Sequence, residues 1–234
     1  MKWRPLILGL LTVVLAVHFA ILTISAHGFD TNAITDEDRK YFLQNVKLEL
    51  LDEEAYCVSI ECFDVNEDGG YAIGFTGSDG KVVQVYDADG TLLYGVRFQC
   101  SGNYSMTLRG NNIEIYFVRN DIVIYVNPRG ACLSAQEVPL NSHNRKIIDE
   151  ILDRDTKTVD GVTYYLDRDL GFADRYYARL VKQEPSGEAV VLYDVTARHN
   201  ANFILSSLLI VVFIGICVIG VKNRIESCLK EENE

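Results

Sequence analysis

The chain has 234 residues, 48% of them hydrophobic and 24% charged, with a net charge of −11. An acid surplus of that size excludes nucleic acid as a partner, because phosphate binding rests on clustered Lys and Arg. The average also hides two long apolar regions flanking a strongly charged middle.

The first apolar region, Pro5 to Ala26, is 22 residues without a formal charge. A bilayer core is crossed by about 20 apolar residues in a helix. The spacing predicts a cytoplasmic N-terminus over 1–4 and a transmembrane helix over 5–26. A cleaved signal peptide is the alternative for this segment, with Ile24-Ser25-Ala26 as its cleavage site, although the run exceeds the usual h-region of about 7–15 residues. The second region is Phe203 to Val221, 19 residues long. Lys2 and Arg4 precede the first region, and Lys222 and Arg224 follow the second. Positive flanks stay on the cytoplasmic side. The expected layout is therefore a cell-membrane protein with both termini cytoplasmic, an extracytoplasmic domain over 27–202, a second span over 203–221 and a short tail over 222–234. Residues 27–202 hold 17 Lys and Arg against 29 Asp and Glu, a net −12, which also opposes electrostatic attraction to anionic lipid.

Within the middle, residues 27–34 read as a linker. Thr35 followed by Asp36, Glu37 and Asp38 predicts a helix N-terminus, and the helix is expected over Asp36 to Asn45. Val46 to Glu54 fits helix and strand spacing equally. From Ala55 onward the pattern is β. Strands are expected over Cys57–Phe63, Tyr71–Phe75, Lys81–Phe98 as a hairpin, Asn103–Leu108, Asn112–Val118 and Ile122–Val126, with turn residues between them. Val82-Val83-Gln84-Val85-Tyr86-Asp87-Ala88-Asp89-Gly90 aligns with Ile122-Val123-Ile124-Tyr125-Val126-Asn127-Pro128-Arg129-Gly130, an offset of 40 residues. A fainter third copy ends its turn at Gly187, ahead of Glu188 to Tyr193. Between the second and third copies, Ser142 to Leu152 reads as an inserted helix capped by Asn141 or Ser142, with Ile147, Ile148, Ile151 and Leu152 on one side. The expected fold is mainly β: three propeller-like antiparallel sheets in series with an inserted helix, flanked by two transmembrane helices. A closed barrel is the competing architecture.

The stretch GSDGKVVQVYDADGTLLYGVRF resembles blades of bacterial propeller proteins of the quinoprotein-like and NHL-like kinds. Those families also run a strand, an aspartate-glycine turn, and a strand with Leu-Leu and an aromatic. The resemblance covers residues 71–98 well, 112–133 fairly and 160–195 poorly. It implies a binding scaffold more often than an enzyme, and no quinone-cofactor residues carry over. Propellers close with about four to eight blades, whereas three are legible. The two-helix layout is similar to that of uncharacterised bacterial membrane proteins, which implies no activity.

Asp64, Asn66 and Asp68, with Gly69, match the first half of a calcium loop. The twelfth position is Phe75 rather than a bidentate Glu, so the cation site is weak and a solvated acidic turn is the plainer reading. Calcium is the one cofactor class the residues suggest. Cys57, Cys62, Cys100 and Cys132 are an even set in a disulfide-permissive compartment. Cys57 and Cys62 are too poorly placed in one strand to pair with each other. No catalytic motif is present. Tyr164, Tyr165, Tyr176 and Tyr177, near Phe172, read as strand residues packing a core, with polar-tipped aromatics of an interface as the alternative. Two function classes follow. The first is a membrane-anchored binding or assembly module, contacting another protein or a second copy of itself through uncovered sheet faces and edges. The second is an extracytoplasmic sensor or enzyme working with a membrane partner.

Overall fold

The computed structural model describes residues 28–168 and 177–231. The first apolar region, Phe172 and Tyr176 lie outside them. Strand accounts for 42% and helix for 24%, which makes the chain mainly β. Strands β1 (Asn32–Ala33) and β2 (Glu49–Leu51) flank helix α1 (Asp36–Val46). Then come β3 (Cys62–Val65), β4 (Tyr71–Gly77), β5 (Gly80–Tyr86) and β6 (Leu92–Phe98). A second series is β7 (Tyr104–Arg109), β8 (Asn112–Phe117), β9 (Ile122–Val126) and β10 (Cys132–Glu137). Helix α2 (Ser142–Leu152) precedes β11 (Thr156–Val159), β12 (Val162–Asp167), β13 (Arg179–Gln183) and β14 (Ala189–Asp194), and α3 (Thr196–Glu231) follows.

Each series is a four-stranded antiparallel meander. The three meanders share one turn chemistry. Gly90, Gly130 and Gly187 sit between the third and fourth strands of their sheets, all at positive φ (84°, 72° and 91°). Each donates its N–H to the carbonyl three residues back, on Asp87, Asn127 and Glu184. Asp87 and Asn127 each accept two further backbone N–H groups on their Oδ1. Glycine is needed there because the left-handed region strains any residue with a Cβ. The 40-residue repeat is thus a repeat of sheet position as well as of sequence.

Both helices start where their caps predict. Thr35 Oγ1 accepts from Asp38 N at the start of α1, and Asn141 Oδ1 accepts from Asn144 N at the start of α2. The ambiguous stretch after α1 resolves as a left-handed cap at Lys47 (φ 50°) and then β2.

The first sheet (β2-β6-β5-β4-β3) lies between the other two. Strand β5 alternates accordingly. Val83 and Val85 join Val96, Phe98, Met106, Ile115 and Phe117 of the core shared with the second sheet. On the opposite face, Tyr86 joins Phe63, Tyr71 and Ile73 against Tyr164, Leu166 and Leu180 of the third. Burial on both faces explains why Val82, Val83, Val85 and Tyr86 of β5 are apolar on both sides of the strand, with Gln84 buried among them. Phe42 and Val46 of α1 close the first core, Phe42 meeting Phe117 edge-on at 5.2 Å. The third sheet therefore returns to the first, and a backbone bridge between Ile60 and Tyr177 ties the two together. This corrects the expectation that the first and last units present open faces.

The outer edges of the first and second sheets are extended by short strands. β1 pairs with β10 at the outer edge of the second sheet, and β2 pairs with β6 at the outer edge of the first. The segment after the first apolar region is likewise no loose linker. Asn144, fully buried in α2, clamps Asp30: its Oδ1 accepts from Asp30 N (2.8 Å) and its Nδ2 donates to Asp30 O (2.9 Å) and Pro139 O (2.7 Å). Phe29 packs beside Tyr116, Val123 and Ile151 in the same place.

Candidate functional site

The innermost strands of the three meanders converge, with β3 lying against β7 and β11. All four residues of β3 are buried, including Asp64 at 0% exposure. A carboxylate taken fully from water requires opposite charge and hydrogen bonds around it. Asp64 Oδ1 accepts from Arg154 Nη1 (2.6 Å) and Lys157 Nζ (2.7 Å), and Oδ2 accepts from Leu108 N (2.8 Å). Lys157 also donates to Val65 O at 2.6 Å, and Arg154 approaches Glu150 at 3.6 Å. One side chain thus joins β3 to β7, to β11 and to the chain leaving α2.

That geometry reassigns the calcium-loop residues. The structure does not bring Asp64, Asn66 and Asp68 into one ligand set. Asp64 is turned inward onto the chain's own cations. Asn66 organises the following turn, its Oδ1 accepting from Asp68 N (3.1 Å) and its Nδ2 donating to Gly110 O (2.9 Å). Among the described residues, no group of three or more His, Cys, Asp and Glu converges to hold a metal. A cleft of about 390 Å³ opens where β3 and β7 end, bordered by Glu67, Asp68, Arg109 and Lys157. A wider groove of about 850 Å³ runs beside α1, between Tyr41, Asn45, Gln99 and Glu137.

The four cysteines expected to supply a disulfide are free thiols. Cys57, Cys100 and Cys132 each donate to the carbonyl two residues on, at Ser59 (3.3 Å), Gly102 (3.3 Å) and Ser134 (3.1 Å). Burial pushes the thiols of Cys57 and Cys62 up to about 12. Cys62 lies beside Gly74 and Tyr104, where a Cβ on Gly74 would stand 2.6 Å from both Cys62 Sγ and Tyr104 Oη. These cysteines act as small core groups. The tyrosines divide similarly: Tyr164 is buried at 3%, and Tyr71 stacks on Tyr86 at 4.9 Å.

The third sheet differs from its siblings at its outer edge. Among the described residues, no strand pairs with the far side of β14. Ala189, Val190 and Val191 are exposed along it, the two valines at 47% each. The strand carries no Pro or Lys, and its one edge-protecting feature is a bulge at Leu192, where the register with β13 shifts between Leu180 and Val181. Two residues past the end of the strand α3 begins, with Asp194 Oδ1 accepting from Thr196 N at 2.7 Å. The Thr196 hydroxyl, and after it that backbone bond, hold the Asp194 carboxyl below its usual range. Within α3 the side chains described without interruption run from Ile204 to Val218, 15 residues, and every large hydrophobic among them is exposed. No helix of described residues is long and apolar enough to cross a membrane.

Sequence reasoning missed the Asp64 cluster, the Asn144 clamp and the fifth strands. A usable signal existed for the first: an Asp within Cys62-Phe63-Asp64-Val65, flanked by apolar residues in a strand, implies buried cationic partners. Comparison with protein-family models and with curated proteins finds no match for this chain.

Proposed function

We propose that the chain is a membrane-anchored extracytoplasmic binding module, its three sheets standing as propeller-like blades around Asp64 and presenting the β14 edge to another protein. The observation that carries this reading is the junction of that bare edge with α3. A helix apolar on every side suits lipid or a protein interior, and the exposed side chains from Ile204 to Val218 have no covering from the sheets. In the sequence the apolar run extends to Phe203 and Val221. Nineteen helical residues span about 28 Å, close to the roughly 30 Å of a bilayer core. Lys222 and Arg224 would hold the tail in the cytoplasm, with the first apolar region as the second anchor. Support for a binding role comes from the uncovered strand, because paired backbone groups and alternate side chains let a sheet edge accept a further strand.

The test is fractionation of cells producing the full chain, followed by alkaline extraction and by protease added from outside. The reading expects the chain to stay in the membrane pellet and the sheets to be reached only from the extracytoplasmic side. Release by alkali, or cleavage of the sheets only from the cytoplasmic side, would overturn it.

A further inference from the structure

We infer that the groove beside α1 binds an arginine-bearing segment of a partner protein. This goes beyond the preceding reading, because it concerns a different surface and holds whichever side of a membrane the domain occupies. The groove measures about 850 Å³, inside the roughly 300–1,000 Å³ of small-ligand sites. Part of its border is a stripe of α1. Asp38, Tyr41, Phe42 and Asn45 stand at i, i+3, i+4 and i+7, on one helix face. Gln99, just past β6, and Glu137, the last residue of β10, also border it.

The chemistry of the occupant follows from which polar atoms are already committed. Asn45 Nδ2 donates to Tyr41 O (2.9 Å) and Gln99 Nε2 donates to Asp79 O (2.5 Å). Their amide oxygens are left to accept. Asp38 Oδ2 accepts from the Thr35 hydroxyl (2.7 Å), inside its own helix turn. Among the described residues, no ion pair forms to Asp38 or Glu137, and none of those bordering the groove is Lys or Arg. Arg119 donates to Ser101 Oγ on that border (3.4 Å) without lining the groove itself. The border is thus acceptor-rich and negative, which suits donors and repels phosphate and carboxylate ligands. Arginine fits this combination. Its guanidinium carries five donors and no acceptor, pairs with carboxylates and stacks on aromatic rings. Tyr41, 70% exposed, offers such a ring, and Phe42 and Phe117 offer apolar surface to the methylene stem. The neutral oxygens of Asn45 and Gln99 suit the N–H groups of a peptide backbone, which a polyamine lacks. The net −12 of the middle region adds a general pull on a basic segment.

The experiment titrates the full chain, in nonionic detergent, into a fluorescein-labelled pentapeptide of alternating alanine and arginine, read by anisotropy. The expected result is saturable binding. Tyr41→Ala and Glu137→Gln each weaken it about threefold, and Asp38→Asn combined with E137Q weakens it about tenfold. Asp89→Asn removes the same charge in the exposed turn at Gly90 and leaves the affinity unchanged. Circular dichroism of each variant verifies that the sheets are intact. Unlabelled peptide displaces the probe, and spermidine at the same concentration does not. No binding, equal binding by the peptide with glutamine in place of arginine, or equal losses from E137Q and D89N would overturn the proposal. Displacement by spermidine would overturn it as well, by making the groove a site for small cations. None of these results bears on the membrane reading, which stands or falls on extraction and protease access.

Discussion

Asp64→Asn changes almost no volume and removes the one negative charge to which Arg154 and Lys157 both donate. Removing one partner of a buried ion pair costs about 3–5 kcal/mol when the other is left without compensation. Two observations lower that figure here. The Arg154 and Lys157 side chains retain 10% and 28% exposure; Arg154 keeps the Glu150 carboxylate as an ion-pair partner at 3.6 Å, and Lys157 keeps Val65 O as an acceptor. The Leu108 N–H can still bond to the amide oxygen of the variant. A loss of about 3 kcal/mol follows, a large share of the roughly 5–15 kcal/mol that holds a domain folded. The assay is urea unfolding of the full chain in detergent, followed by far-UV circular dichroism, because the one tryptophan, Trp3, precedes the first apolar region and is remote in sequence from the sheets. Arg154→Met and Lys157→Met should each lose less than D64N. Combined with D64N, either should add little, since the contact is already gone. A loss below about 1 kcal/mol for D64N, or strict additivity with both partners, would refute the view that this carboxylate pins the three sheets.

Gly74→Ala should destabilise by about 1–3 kcal/mol, because its Cβ would overpack Cys62 Sγ and Tyr104 Oη; an unchanged urea midpoint would show that this contact relaxes freely. Asn144→Ala should release residues 28–33, visible as faster hydrogen exchange at Asp30, whose N–H it leaves without its acceptor; an unaltered rate would mean that Phe29 packing alone holds the segment. Burial raises the thiols of Cys57 and Cys62 to about 12 and pushes the Tyr86 and Tyr193 hydroxyls up as well. Their neutral forms are favoured in the fold, so the stability present below about pH 9 declines as pH rises from the unfolded thiol value toward 12, by up to about 1.4 kcal/mol per pH unit for each group. Urea midpoints independent of pH from 8 to 11 would contradict that burial.

The meanders were legible because their signals are local. Gly90 and Gly130 mark equivalent turns, and the caps at Thr35 and Asn141 announce α1 and α2 within a residue or so. What stayed hidden depends on distance along the chain. β1 is two residues long and reaches β10 more than 100 residues away, so no periodicity reveals it. Asp64 looked like a loop ligand because Asn66, Asp68 and Gly69 follow it; that Arg154 and Lys157 lie beside it is decided by the return of the third sheet onto the first. The same return overturned the expectation of open faces, since three units and a helix pack more closely than counting blades implied. The cysteines were misleading for a related reason: an even number in a permissive compartment says nothing about whether their Cβ vectors meet. At β14 the sequence showed an apolar strand, but only the sheet order showed that no strand of the described residues pairs with its outer side.

The central claim is the lipid setting of α3, and hydrogen exchange on the full chain, compared in lipid nanodiscs and in urea-treated extracts, reads it directly. The account predicts that amides from Ile204 to Val218 resist exchange in lipid and stay protected when urea has already opened the sheets. A 204–218 segment that exchanges freely in lipid, or loses its protection together with the sheets, would contradict it.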